Sequence, residues 1–398
     1  MNYTLEEVHS TAQQRDFLEF PKRLYAGNRN WVCPLDDDIE KVFDPKRNEK
    51  FQDGEAMRWI ARTPDGEVVG RIAAFYNRAQ AAIEEQPTGG CGFFEAINDQ
   101  ALADMLFDAA RDWLTSKGME AMDGPINFGD RDSWWGLLVN GFEFQPLYCN
   151  PYNPPYYQDL FENYGWQNYF NQHTYSRKIK SGLLSEALYE KVRRLEESQS
   201  YVFRHIERHE LPQAAEDFRH IYNRAWARFS GVKPMDAEHA RKLFKTLAPI
   251  VDEHLIYFAY FNDEPIGFFI NIPDLNRVIG KHNGRFGIFQ QLRTLWDIRR
   301  HKADRIFGLI FGVLPEYQSK GIESGLIKCM ENEVDKGTLR HYRSLELAWI
   351  GDFNPVMMRM VESYVCAKRH KMHTTYRYLF DRTREFHRCP RLGMKKDN

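Results

Sequence analysis

The sequence has no paired-cysteine motif, no long apolar run and almost no excess of charge, and each absence excludes a class of function. Its six cysteines (Cys33, Cys91, Cys149, Cys329, Cys366 and Cys389) are scattered through 398 residues without a C-x-x-C pair. That spacing supports neither a disulfide framework nor a zinc knuckle, and it reads as the reduced, mostly buried thiols of a cytoplasmic protein. The apolar stretch Phe307 to Leu314 has the length of a buried strand, far below the roughly 20 residues of a membrane helix. Met1 to Glu7 lacks the basic-then-apolar pattern of a signal peptide. With 54 basic and 56 acidic residues the net charge is -2, which argues against a whole-molecule grip on nucleic acid or anionic lipid and leaves only local patches. There is no G-x-G-x-x-G, no Walker loop and no H-E-x-x-H, and Ser324 in Gly321-Ile322-Glu323-Ser324-Gly325 has the wrong spacing for a nucleophile elbow. The 13 histidines show no ligand spacing, so no metal is expected.

What is present is core-forming material. Hydrophobic residues make up 43% of the chain, with 28 Phe, 20 Tyr and 9 Trp, and the length suits two domains. The two halves repeat. Ile60-Ala61, Asp65-Gly66-Glu67 and Val69-Gly70 parallel Phe258-Ala259, Asn262-Asp263-Glu264 and Ile266-Gly267, each an apolar hairpin around a polar turn. A helix capped by Asp99, with Leu102, Leu106, Ala109 and Trp113 on one face, ends at Gly118. Its counterpart carries Ile322, Leu326, Met330 and Val334 and ends at Gly337. Asn153-Pro154, Glu162, Tyr164 and Thr174-Tyr175 parallel Asn354-Pro355, Glu362, Tyr364 and Thr375-Tyr376. These matches predict a tandem duplication of an α/β (α+β) unit, with domains at 1–180 and 201–398. Between them, 181–200 has helical spacing at Leu184, Leu188, Val192 and Leu195. Extra segments fall near 128–147 in the first half and 274–304 in the second.

The segment from Ile310 to Ile327 carries the chemistry. An apolar strand ends at Val313, Pro315 breaks its ladder, and a polar loop with Gly321 leads into an amphipathic helix. Successive backbone N–H groups at such a helix start form an anion cradle, suited to a pyrophosphate. Gly321 allows a positive φ and close approach.

This segment resembles the coenzyme A loop of the GNAT superfamily of acyl-CoA N-acyltransferases: Val313, Pro315, Gln318 and Gly321 match its hydrophobic-x-Val-x-Pro strand end and Gln/Arg-x-x-Gly-x-Gly/Ala loop. Asn354-Pro355 also fits the asparagine that opens the helix after the fifth strand. The two-halved layout, with Tyr222-Asn223-Arg224-Ala225-Trp226, Pro273-Asp274-Leu275-Asn276 and Glu346-x-x-Trp349, looks like a bacterial subgroup of tandem GNAT-like proteins. The resemblance implies two domains, each a mixed, mostly antiparallel sheet with a splayed parallel pair flanked by helices. It implies transfer of an acyl group from acyl-CoA, acetyl-CoA first among them, to an amine of a small molecule or peptide. The cofactor-binding set it implies is Val313, Gln318, Ser319, Lys320, Gly321, Ile322, Glu323, Ser324 and Asn354.

Two positions depart from the pattern. Glu323 stands where a small residue belongs, and a carboxylate about 4 Å from a phosphate would cost roughly 4 kcal/mol at an effective dielectric near 20. Val361 stands where many relatives carry the tyrosine that protonates the leaving thiolate; Tyr364 is the nearest phenol. For the base the candidate is Glu346, a carboxylate on an apolar strand, expected to have a raised pKa. The first half has only Asn98-Asp99-Gln100 between strand and helix, so no cradle is expected there. Its gap, between Ile97 and Asp123, should be filled by side chains such as Phe93, Phe94 and Met119, while Trp134-Trp135 and Asn153 to Tyr157 could line an acceptor groove or the core.

The second-half insertion, with Arg277, Lys281, Arg285, Arg293, Arg299, Arg300, Lys302 and Arg305 and an apolar face at Phe289, Leu292 and Trp296, could meet an anionic acceptor, the cofactor's phosphates or a lipid surface, or be a solvated capping helix. The departures keep a second class open, a non-catalytic binding or scaffold protein. A third reading, aminoacyl transfer from tRNA, rests on the basic insertion alone.

Overall fold

The computed structural model describes residues 2–83, 85–226 and 234–392. Its strands are β1 (Thr4–Glu7), β2 (Gly54–Arg62), β3 (Val68–Asn77), β4 (Thr88–Ala96), β5 (Ala121–Gly124), β6 (Leu137–Asn140), β7 (Gln167–Lys178), β8 (Tyr201–His205), β9 (Ile256–Phe261), β10 (Glu264–Pro273), β11 (Arg305–Val313), β12 (Ser344–Gly351) and β13 (Lys368–Leu379). The repeat read in the sequence appears in the strands, β6 excepted. Hairpin β2–β3 corresponds to β9–β10, β4 and β5 to β11 and β12, and β7 to β13. The helices Gln100–Ser116 and Ile322–Asp335 occupy equivalent places. Each is followed by a glycine at positive φ, Gly118 at 81° and Gly337 at 77°, the left-handed residue that ends a helix. Asp99 caps the first of these helices by accepting from the Leu102 N–H at 3.1 Å.

All the strands belong to one sheet of order β1-β2-β3-β4-β5-β13-β7-β12-β11-β10-β9-β8, with β6 against β13. Each half is a mixed, mostly antiparallel sheet with one parallel pair, β4/β5 or β11/β12. The halves have exchanged their final strands: β7 pairs with β12 of the second half, and β13 pairs with β5 of the first. The exchange is reciprocal in its side chains as well. Tyr175 on β7 donates to Glu362 at 2.8 Å, and its repeat partner Tyr376 on β13 donates to Glu162 at 2.9 Å. Each exchanged strand covers an edge that would otherwise present unpaired N–H and C=O groups.

Each half has a core, and Tyr376 and Tyr378 of the exchanged β13 enter that of the first. In the first, Leu102, Leu106, Phe107 and Ala110 pack on Ile72, Ala74 and Cys91. In the second, Phe218, Ile221, Leu326 and Met330 pack on Phe258, Ile266 and Phe268. A buried ion network rivets the halves together. Arg305 donates to Asp274 at 2.6 and 2.9 Å and to Glu346 at 2.9 Å, and Lys371 donates to Glu346 at 2.5 Å. The same two cations also donate to the Gln145 carbonyl of the first half at 3.1 and 3.0 Å. Two carboxylates against two cations leave the cluster neutral, the condition for burying it.

Candidate functional site

The site begins where two parallel strands part. β11 and β12 pair only from Arg305/Ser344 to Gly308/Leu347. Beyond that point β11 stays with β10 as far as Val313/Gly267, while β12 follows β7 to Gly351/Gln172. Gly308 allows the last close pairing, because a Cβ there would sit 2.6 Å from Leu347 Cδ2. A cleft of about 2860 Å³ opens around this fork. Leu309, Phe311, Leu347 and Ile350 face it from the strands, and Ile327, Met330, Met357 and Val361 from the flanking helices. The first half supplies the other wall, including Phe75, Phe128, Trp134 and Trp135. The tryptophan pair read as acceptor groove or core therefore stands at the cleft. Asn153 and Tyr157 lie elsewhere, in a small cavity beside Glu95 and Arg71.

The loop after β11 has the curl of an anion cradle. Gln318 is followed by Ser319 at φ 64° and Gly321 at φ 92°, and the helix starts at Ile322. Among the described residues, the N–H groups of Ser319, Gly321, Ile322 and Glu323 have no backbone acceptor. Gln318 holds the loop closed by donating from its side chain to the Val313 carbonyl at 3.1 Å. Ser319 and Lys320 are exposed, but Gly321, Ile322 and Ser324 are buried. The cover is the helix Glu186–Glu196 between the halves: a Cβ on Gly321 would lie 3.4 Å from Leu195 Cδ1 and 3.6 Å from Lys191 Cβ. Leu184, Leu188 and Val192 run on into the groove beside Ile327, Val361 and Val365. Tyr189 donates to Glu331 at 2.8 Å and fixes the helix there. The helix start thus leaves four N–H groups without a backbone acceptor, while the joining helix lies over Gly321. The amphipathic spacing of 184–195 was legible in the sequence, but the surface it covers was not.

The remaining candidates are placed as follows. Asn354 lines the cleft and caps the helix Pro355–Ser363, its side chain accepting from the Met357 N–H at 3.3 Å. Tyr364 lies at the end of that helix, with the Lys191 ammonium 4.0 Å from its ring centroid. It is not among the residues that line the cleft. Glu346 corrects the sequence expectation in sign. Burial pushes its carboxyl up, but the His370 contact and the charges of Lys371 and Arg305 outweigh burial and hold it well below the ordinary carboxylate range. A carboxylate doubly paired in the rivet is a poor proton acceptor.

In the first half, Thr88, Gly89, Gly90 and Asp123 line the same cleft, but the gap beyond them is bridged. β4 and β5 pair from Thr88/Ala121 to Gly90/Asp123, and then the main chain itself crosses the gap. The Ile126 N–H donates to the Cys91 carbonyl at 2.8 Å, and a Cβ on Gly92 would lie 1.8 Å from the Ile126 oxygen. Segment 125–128 fills the space expected for Phe93, Phe94 and Met119. Phe94 and Met119 belong to the core of that half, and Phe93 packs on Phe43 and Trp134. At the helix start Asp99 itself supplies the anion, and the Leu102 N–H holds its carboxyl below the usual value. Among the described residues, one group of possible metal ligands, His205, His254 and Glu333, brings its atoms within 4.8 Å of one another. Glu333 there already accepts from Lys336 at 2.7 Å and Thr338 at 2.9 Å.

Comparison with known proteins agrees with this geometry. No family model matches the chain. A curated relative, the bacterial ceramide synthase of Caulobacter vibrioides, is 28% identical over 364 residues, covering 89% of this chain and 92% of its own. Among solved structures, the glucosamine N-acetyltransferase region of a fungal multidomain β-N-acetylglucosaminidase superposes with a TM-score of 0.55 at 11% identity; it spans 95% of this chain but only 38% of that larger enzyme. A tandem GNAT protein from the clavulanic acid biosynthesis pathway superposes with a TM-score of 0.53 at 9% identity, over 95% of this chain and 99% of its own. The chain therefore has the tandem GNAT fold, two units of one α/β kind joined in a single sheet.

Proposed function

We propose that the chain is a GNAT-type N-acyltransferase with one working site, the fork between β11 and β12. The parted parallel pair carries this reading, because it provides an open strand edge and an apolar channel in one half, while the main chain at Ile126 bridges the equivalent gap in the other. In the proposed reaction the acyl-CoA thioester lies along the unpaired edge of β11 beyond Gly308. A backbone N–H there polarises its carbonyl, an amine attacks, the C–N bond forms as the C–S bond breaks, and the amine's proton ends on the departing thiolate or in solvent. The protein's part is positioning and exclusion of water. Ser319, Lys320 and the N–H groups to Glu323 would hold the pyrophosphate once the Glu186–Glu196 helix shifts from Gly321.

The apolar stretch of the cleft at the fork, Leu309, Phe311, Ile327, Leu347, Ile350, Met357 and Val361, with the name of the Caulobacter relative, supports an acyl group longer than acetyl and a lipid-like amine as acceptor. Six free thiols support a reducing, cytoplasmic setting. Acyl-CoAs from acetyl to palmitoyl, each offered with a long-chain amine and with a short water-soluble amine, test the proposal through release of free coenzyme A and the mass of the amide. Turnover with long-chain donors supports it; no thiol release with any pair rejects it. The joining helix over Gly321 favours a second reading, a binding protein that kept the fold. That reading holds if coenzyme A and acyl-CoAs leave the melting temperature unchanged.

A further inference from the structure

The helix Ile288–Arg299 in the second-half insertion is built inside out. Its fully buried side chains are polar, Asp297 at 0% and Thr294 at 2% exposed, and Ile298 packs beside them on the Val278–Ile279 core. Asp297 is paired to Lys281 and, at 2.8 Å, to Lys302, while Thr294 lies 3.0 Å from the His282 ring. The side chains it turns to solvent are large and apolar: Phe289 is 85% exposed, Ile288 74%, Leu292 60% and Trp296 55%. Spacing of four places Ile288, Leu292 and Trp296 on one line with Phe289 beside it, opposite the buried Asp297 and Thr294. A solvated surface helix has the reverse arrangement. Single exposed apolar residues are ordinary, but a contiguous stripe that includes Phe and Trp marks an interaction site.

Charge identifies the occupant. Segment 281–302 holds six Lys and Arg and one Asp, so it is strongly basic on a chain that is nearly neutral overall. Arg285, Arg299 and Arg300 are exposed along the helix and its ends, with Arg300 stacked 4.9 Å from the Trp296 ring centroid. An apolar stripe with an aromatic belt and a cationic fringe is the pattern of a helix lying in a bilayer interface, acyl chains beneath and anionic headgroups beside it. The insertion is also anchored next to the cleft. Val278, Ile279 and Ala303 pack with Leu35 and Tyr148, and Tyr148 donates to Asp38, a cleft residue, at 2.5 Å. We propose that Ile288–Arg299 docks this protein, peripherally and reversibly, on an anionic lipid bilayer with the cleft opening near its surface. This does not depend on which reaction the cleft performs.

The test is co-sedimentation of the full chain with vesicles of phosphatidylcholine alone and of phosphatidylcholine with one-third phosphatidylglycerol. The expected result is binding to the anionic vesicles only, weakened at high salt. It should fall about tenfold in Phe289→Ser/Trp296→Ser and in Arg299→Glu/Arg300→Glu, with unchanged melting temperatures because these side chains are exposed. No binding to anionic vesicles overturns the proposal, and so does binding that both double variants retain. Concentration-dependent dimerisation that Phe289→Ser/Trp296→Ser abolishes, without vesicle binding, also overturns it and gives the stripe to a second copy of the chain.

Discussion

Replacing Glu346 by Gln separates a structural carboxylate from a catalytic one. In the wild-type protein Glu346 neutralises Lys371 at 2.5 Å and shares Arg305 with Asp274. Glutamine keeps the shape but leaves the buried Lys371 ammonium without a counter-charge. Breaking a buried pair from one side costs about 3–5 kcal/mol, which is a third or more of the roughly 5–15 kcal/mol that holds a typical domain. Substituting Lys371→Met in the same chain removes the stranded cation, leaves Arg305 with Asp274, and should recover most of the loss. Urea unfolding of the two single variants and the double variant closes the cycle, and a coupling energy above about 2 kcal/mol is expected. The pH dependence has a fixed sign. Because the folded pKa of Glu346 lies below its ordinary value, its contribution is complete above the unfolded pKa and is lost as pH falls below about 4 toward the folded one. Wild type should therefore lose more stability on acidification than Glu346→Gln. The reasoning is refuted if Glu346→Gln costs less than about 1 kcal/mol, and a stable variant without acyl transfer would restore Glu346 to the chemistry.

Gly308→Val should force Leu347 out of the last paired position, since even a Cβ would meet it at 2.6 Å; about 1–3 kcal/mol of stability is expected to go, together with any shift of the melting temperature by acyl-CoA. Leu195→Ala/Lys191→Ala should uncover Gly321 and tighten coenzyme A binding in calorimetry, whereas unchanged or weaker binding would mean that the joining helix does not obstruct the cradle. Gly321→Val places a β-branched residue at φ 92° and should erase the coenzyme A stabilisation, which amounts to about 2.7 kcal/mol at 100 times the dissociation constant. Asp297, held at about 2 by Lys281 and Lys302, stabilises the insertion above the ordinary carboxylate pKa and loses this as pH falls below about 4, so protection factors in 288–299, corrected for the intrinsic pH dependence of exchange, should fall over that range.

The repeat, the helix ends and the loop were legible in the sequence because they are local. Gly118 and Gly337 terminate their helices by needing a left-handed φ, Asp99 caps from its own first turn, and Pro315 with Gly321 shapes the cradle within a few residues. The same locality explains why two tandem units could be counted from matched turns and faces. The strand exchange was not legible: Thr174-Tyr175 and Thr375-Tyr376 repeat equally well whether each strand pairs at home or across, and only the sheet places Tyr175 on Glu362 and Tyr376 on Glu162. Glu346 had the right residue type in an apolar strand, but its ionisation depends on Arg305, Lys371 and His370, brought from other strands. The spacing of Leu184, Leu188, Val192 and Leu195 predicted a helix with one apolar face, and the insertion's spacing predicted another. A helical period shows that a face exists and leaves its partner open. Tertiary packing buried the first face over Gly321 and turned the second outward, with Asp297 on the inside.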